Sequence, residues 1–232
     1  RENNKQLRDI KLYEDSQFLY KTYPGYEQRQ RIMDLMTKYL SEPYPIYTYM
    51  YFLDLFPDCT ILCYDKNNKD ENNNYFIVGA IVGNINHKPK IIQGYIAMLA
   101  VEDNYRKKGL GKKMVELLMD IFNKTYKVNE IVIETEVDNY AALGLYESFG
   151  FIRTKMYLNY YFNSNDAYKL KLFVDNNDED GENDINYGNW NEKKQGIEYI
   201  HEVLNYNNNY MSITGFNELI DLIIRKLIDT HK

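Results

Sequence analysis

Long apolar runs are missing from this chain of 232 residues: no stretch of eighteen apolar residues occurs, so no transmembrane helix is expected. Cysteine is scarce. Cys59 and Cys63 are the only two, and a pair without further ligands cannot close a zinc site. They lie in DCTILCY, which reads as a strand whose positions i and i+4 point the same way. Both are expected to be reduced core thiols, which suits a reducing compartment such as the cytoplasm. Histidine is scarce as well: His87 falls in an expected turn, His201 and His231 near the end, and none takes a role. No metal is expected. Positive charge is outnumbered, with 28 Lys and Arg against 34 Asp and Glu for a formal net charge of -6. That balance argues against nucleic acid as the main partner. The opening, RENNKQLRDIKLYEDS, is polar and unlike a signal peptide, and a start at Arg1 rather than Met suggests a trimmed chain.

What is abundant is apolar and aromatic: 44% of residues are hydrophobic and 15% aromatic, with 24 tyrosines. A sizeable core is expected, in one large domain with extras or two small ones. The heavy use of Asn, Tyr, Lys and Ile reads as coding bias, so any single tyrosine is a weak signal.

Residues 1–15 read as a flexible or loosely docked arm and 16–23 as a short strand. From Tyr26 the spacing of Ile32, Leu35, Met36, Tyr39 and Leu40 predicts a helix, ended by Pro43 and Pro45. A second, aromatic helix follows over about 46–54. Next come the strand CTILCY, a polar loop over 65–74, the strand YFIVGAIVGNI, a turn at NHKPK and the strand IIQGYIAMLAV. A helix is expected over 110–124, with Met114, Leu117, Leu118, Ile121 and Phe122 as its apolar stripe. EIVIETEV is a strand, NYAALGLYESF a helix closed by Gly150, and two tyrosine-rich strands follow around 151–162 and 166–174. These elements make a mixed α/β domain over 16–174. After Val174 an acidic linker, 175–190, leads to a helical extension, 191–232. Its helix 215–230 carries an apolar face that has to pack on something.

The stretch YRKKGLGKKMVELL, from Tyr105, places two glycines among basic residues where a strand gives way to a helix. Such a turn presents unpaired backbone N–H groups at the positive end of the helix dipole, and glycine lets a ligand come close. It suits a pyrophosphate, with Arg106, Lys107, Lys108, Lys112 and Lys113 raising the local potential. The spacing fits neither a P-loop nor a Rossmann fingerprint. A plain solvated helix end stands beside the ligand reading.

The spacing Arg106-x-x-Gly109-x-Gly111, after GYIAMLAV, resembles the acetyl-CoA signature of the GCN5-related N-acetyltransferases (GNAT). LSEPYPIYTY, GYIAMLAV, YRKKGLG, IETEVDNYAALGLYESFGF and YYFNSNDAYKLKL, in that order, resemble the catalytic subunits of NatC-type N-terminal acetyltransferases over residues 16–174. The loop 65–74 and everything after Val174 depart from that pattern. The resemblance implies a mixed, mostly antiparallel sheet with splayed strands, flanked by helices. It implies that the backbone of Met98, Leu99, Ala100 and Val101 holds the pantetheine arm of acetyl-CoA. The turn Arg106, Lys107, Lys108, Gly109, Leu110, Gly111 and Lys112 would hold its pyrophosphate, and Asn139 would touch the arm. The implied reaction is direct attack of a peptide α-amine on the thioester.

Read as a strand, EIVIETEV puts Val132, Glu134 and Glu136 on one face, and a tight turn is expected to bring Glu134 and Tyr146 to one cleft. The resemblance makes Glu134 the general base, through water, and Tyr146 the general acid near sulfur; Tyr95 matches a tyrosine that acts as a base in a related enzyme. A solvated strand glutamate and a packed helix tyrosine are the plain alternatives, and Glu136 is expected to be structural. Substrate selection is implied for Glu42, Pro43 and Tyr44 in the first loop and for Tyr160 and Tyr161 in the final hairpin. Glu42 is expected to pair with the substrate ammonium or a backbone N–H. The implied substrates begin with Met and a bulky apolar residue; the implied partners are auxiliary subunits and the ribosome. A lysine or small-amine acetyltransferase and an inactive acyl-CoA-binding scaffold remain alternatives.

Overall fold

The computed structural model describes residues 8–42, 44–71, 73–89 and 91–174. The expected linker and helical extension, 175–232, and Pro43 lie outside the described residues. Eight strands form, the central β3 and β4 as continuous buried runs covered on both faces: β1 (Lys11–Glu14), β2 (Phe18–Thr22), β3 (Thr60–Lys69), β4 (Tyr75–Lys88), β5 (Ile91–Val101), β6 (Glu130–Glu136), β7 (Ile152–Tyr157) and β8 (Ala167–Phe173). They form one sheet in the order β1-β2-β3-β4-β5-β6-β8-β7. All neighbours are antiparallel except β5 and β6. Parallel strands need a crossover, and α3 (Leu110–Lys124) supplies it.

Two cores cover the two faces. On one, α3 buries Leu110, Met114, Val115, Leu118, Met119 and Phe122 against Phe18, Ile81, Ile96, Ile131 and Ile133. On the other, α1 (Arg29–Tyr39) buries Ile32, Leu35 and Met36, and α2 (Ile46–Leu55) buries Tyr49, Phe52 and Leu53. Spacings of three and four put each set on one helix face. The helix α4 (Tyr140–Ser148) joins the α3 side through Leu143 and Tyr146. It ends where Gly150 turns left-handed at φ 89°, the expected C′ glycine. Gly94 has a packing reason: a Cβ there would stand 2.6 Å from the Phe122 ring. Its absence lets α3 lie directly on β5.

Several expectations change. Residues 11–14 are not a loose arm; they add an edge strand to β2. The polar loop over 65–74 shrinks because β3 runs on to Lys69, where Lys69 still pairs with Tyr75. His87 lies inside β4 rather than in a turn. The penultimate strand stops at Tyr157, not 162, so Tyr160 and Tyr161 belong to the connecting turn. On α3, Leu117 and Ile121 are only partly buried, and Val115 and Met119 take the centre of the stripe. Cys59 sits in a short 3-10 turn before β3 instead of in the strand, yet both cysteines are buried and free.

Candidate active site

The glycine turn is built from main chain. Lys107 and Gly109 both take positive φ, 60° and 82°, and Gly109 is the N-cap of α3 with no side-chain hydrogen bond closing the helix end. A Cβ on Gly109 would meet nothing within 4 Å, so its glycine answers to backbone geometry and open space rather than to packing. The first turn of α3 holds Lys112 and Lys113 and no acidic residue. Cations at the positive end of a helix dipole are unfavourable unless an anion joins them, which is the electrostatic signature of a phosphate site. The Arg106 side chain points elsewhere: it donates to the Val101 carbonyl at 3.3 Å, pairs with Asp103 at 3.2 Å and lies over the Tyr39 ring. It braces the turn against α1.

The strand before that turn is bent. The β4–β5 ladder steps from Val82↔Met98 to Gly83↔Ile96, leaving Ala97 as an extra residue on β5. Such a bulge bends its strand and interrupts pairing. On the other edge, the parallel ladder to β6 covers only Gln93↔Glu130, Gly94↔Ile131 and Tyr95↔Val132. Beyond that point β5 and β6 diverge. Met98, Leu99, Ala100 and Val101 line one lip of the seam, and Ile133 to Glu136 line the other.

Glu134 stands just past the last paired residue. Ile131 and Ile133 face the α3 core, so alternation turns Val132 and Glu134 to the α1/α2 face. The Glu134 side chain is only 9% exposed and pairs with Lys169, the residue directly opposite it on β8, at 3.1 Å. Tyr95, from β5, is half-buried; burial pushes its hydroxyl pKa up, and the Glu134 charge, with which it also hydrogen-bonds, pushes it further. The hydroxyls of Tyr44 and Tyr160 are raised by burial first and, among other charges, by Glu134. Tyr161 is raised by burial, then by Glu136. Burial alone would lower Lys169, but its hydrogen bond to Glu134 and the Glu134 charge raise it. The result is a largely buried carboxylate with one ammonium partner inside a ring of neutral phenols.

The rim joins the first loop to the final hairpin. Glu42 Oε1 accepts a hydrogen bond from the Phe162 backbone N–H. Of its two expected partners, the structure therefore supplies a backbone N–H, and it belongs to the hairpin of this chain. Tyr160 stacks on Tyr157 at 5.3 Å and meets Tyr161 edge-on at 5.1 Å. Glu136 accepts from Asn163 and Asn165, at 3.2 and 3.4 Å, which holds the turn shape.

Tyr146 is 1% exposed, lies in the α3 core edge-on to Phe151 at 5.5 Å, and burial raises its hydroxyl. Glu134 and Tyr146 thus approach the parted seam from opposite faces of the sheet, because α4 packs on the α3 side while Glu134 alternates away. Asn139 uses its side-chain oxygen to cap α4, accepting from the Ala142 N–H at 3.1 Å. Lys169 and Tyr157 are the residues that sequence reasoning missed. Their place follows from cross-strand register, which no local pattern carries. Among the described residues no acidic, His or Cys cluster could hold a metal. A cleft of about 360 Å³ borders Gly109 from the β1–β2 side, lined in part by Tyr13, Gln17, Phe18 and Lys108. None of the residues around Glu134 lines it, so the chemistry is assigned to the seam.

Comparison with known proteins agrees with this geometry. The model of the acetyltransferase (GNAT) family matches residues 29–151. The chain is 44% identical over 147 residues to N-alpha-acetyltransferase 30 of Saccharomyces cerevisiae, covering 63% of this chain and 81% of that protein. It is 41% identical over 168 residues to the human protein of that name, covering 72% of this chain but only 44% of the human protein's length. A solved structure of the NatC complex bound to Gag peptide and CoA contains a chain 42% identical, with a TM-score of 0.64, covering 68% of this chain and 99% of that one. Seam, glycine turn and sequence agree, and the chain belongs to the acetyltransferase (GNAT) family, in its N-alpha-acetyltransferase branch.

Proposed function

We propose that this protein transfers the acetyl group of acetyl-CoA to the α-amine of protein N-termini that begin with Met and a bulky apolar residue. The observation that carries the reading is Glu134, 9% exposed, placed just beyond the point where β5 and β6 part and ringed by tyrosines. GNAT acetyltransferases bind acetyl-CoA, and the residues here fit it. The uncapped α3 N-terminus, from Lys107 to Lys112, suits the pyrophosphate, and the β5 lip from Met98 to Val101 offers backbone groups to an amide-bearing arm. The Asn139 oxygen caps α4, which leaves its amide nitrogen free to donate to the arm.

The amine attacks as the neutral base. A C–N bond forms, the C–S bond breaks, and one proton leaves nitrogen while sulfur needs one. Glu134, directly or through water, takes the proton on the α1/α2 face. Tyr146, kept protonated by burial on the other face, gives one to the thiolate. Tyr95, held neutral beside a carboxylate, serves as a hydrogen-bond donor to Glu134 rather than as a base. Tyr44, Tyr160 and Tyr161 wall the pocket for the first two side chains, and Glu42 latches the two walls together. The tyrosine ring argues against a protruding lysine side chain as acceptor. Auxiliary subunits, through which the ribosome would be reached, belong to the same proposal, in keeping with the NatC complex that contains the similar chain. The two free, buried cysteines suit the cytoplasm.

The test is mass-spectrometric acetylation of peptides varied at positions one and two, with acetyl-CoA. Met-Leu, Met-Ile and Met-Phe peptides should be modified at the α-amine, and Ser- or Ala-initiated ones poorly. Binding of acetyl-CoA with no acetylation of any peptide, even with auxiliary subunits present, would establish the scaffold reading instead.

A further inference from the structure

Resting on the acetyltransferase reading above, we infer that Lys169 is a positioning residue for the reaction: it neutralises Glu134 so that the substrate amine is held in its uncharged, nucleophilic form. The two side chains face each other across the β6–β8 ladder at 3.1 Å, with exposures of 22% for Lys169 and 9% for Glu134. A carboxylate this secluded and without a cation would attract the ammonium form of the incoming peptide. That ion pair binds well and reacts badly, because a protonated amine has no lone pair. With Lys169 in place the pair is already neutral, and a second cation gains little. The bound amine is then more acidic than in water, and once it has attacked the thioester its N–H proton passes readily to Glu134.

The other groups around this pair are neutral or anionic. Tyr95 on β5, Tyr44 in the first loop, and Tyr160 and Tyr161 in the turn are phenols held protonated. Tyr157 on β7 hydrogen-bonds Lys169. Glu42 is engaged by Phe162, and Glu136 on the same strand by Asn163 and Asn165. Lys155, opposite Lys169 on β7, lies over the Tyr157 ring at 4.7 Å, and Lys171, two residues along β8, pairs with Glu130. Among the described residues, Lys169 is the cation paired with Glu134.

The experiment is the pH profile of kcat and KM for a Met-Leu peptide with Lys169→Met and Lys169→Arg. In Lys169→Met the acid limb of kcat should move up by about one pH unit, so that kcat near pH 7 falls about tenfold and recovers above pH 9. KM should not rise. Lys169→Arg should keep the limb in place. An unmoved limb in Lys169→Met, an equal loss at every pH, or a limb that moves as far in Lys169→Arg would overturn the inference. Proton release by wild-type protein gives a second reading that needs no variant. A free α-amine has a pKa near 8 and is mostly charged at pH 7, so peptide binding measured calorimetrically in two buffers should release close to one proton. No release would equally overturn it. Wild-type protein that acetylates no peptide would instead remove the acetyltransferase reading itself.

Discussion

The two halves of the site are made of different material. The glycine turn is main chain: two positive φ angles and an open helix end, beside lysines that rest on neighbouring groups, Lys113 on Glu116 and Lys108 on the Tyr105 ring. The pocket around Glu134 is side chain: one carboxylate, one ammonium and a ring of phenols drawn from β5, β6, β8, the first loop and the last turn. A main-chain site depends on conformation, so only a few positions need a special residue. A side-chain site depends on which strand lies beside which, and every member matters for chemistry. Substitutions should therefore separate the halves cleanly, one altering donor binding and the other turnover and selection.

The largest separation is expected for Glu134→Gln. Loss of the base should cut kcat by about 10² to 10⁴, while acetyl-CoA affinity measured by calorimetry stays within about twofold. A matching loss of acetyl-CoA affinity would erase the division. Gly109→Val asks for the reverse. A β-branched residue at φ 82° is strained, so acetyl-CoA binding should weaken by about tenfold, for a strain of 1–3 kcal/mol, with the order of preferred peptides unchanged. Tyr160→Ala should flatten the preference at peptide position two and raise KM several-fold, since one methylene-scale contact is worth about 1–3 kcal/mol, with acetyl-CoA binding untouched.

The smallest effect concerns stability where the seam is still closed. Burial alone would raise the Glu130 carboxyl, but hydrogen bonds from Lys171 and Gln93 and the Lys88 charge hold it below its ordinary value. A group depressed in the folded state stabilises above its unfolded value and loses that contribution as pH falls. Denaturant titration should therefore find a stabilising contribution that is present above about pH 4.5 and fades as pH falls below it. Glu130→Gln should remove that acid-side slope.

Legibility in the sequence followed the same division. Arg106-x-x-Gly109-x-Gly111 was readable because a left-handed residue at a helix start favours glycine, as at Gly109, and α3 began where its apolar period said. The strands carrying Glu134 and Tyr95 were readable as strands, from period two. The pairing of Glu134 with Lys169 was not, since it is set by β8 entering the sheet between β6 and β7. Nor was the face of Tyr146, which depends on α4 crossing to the α3 side. The strand at Lys11–Glu14 was hidden because an edge strand needs few apolar residues.

A sheet that parts in its own interior has two raw edges where others have none. Each lip offers unmet hydrogen-bonding groups to any extended polypeptide, just as an outer rim would. The β6 lip, however, is four residues long, Ile133 to Glu136, which is about 13 Å at strand rise and below the commonest strand length. A foreign segment would find at most four residues to pair with. Brevity thus limits how much extended chain the gap through the middle of the molecule can hold.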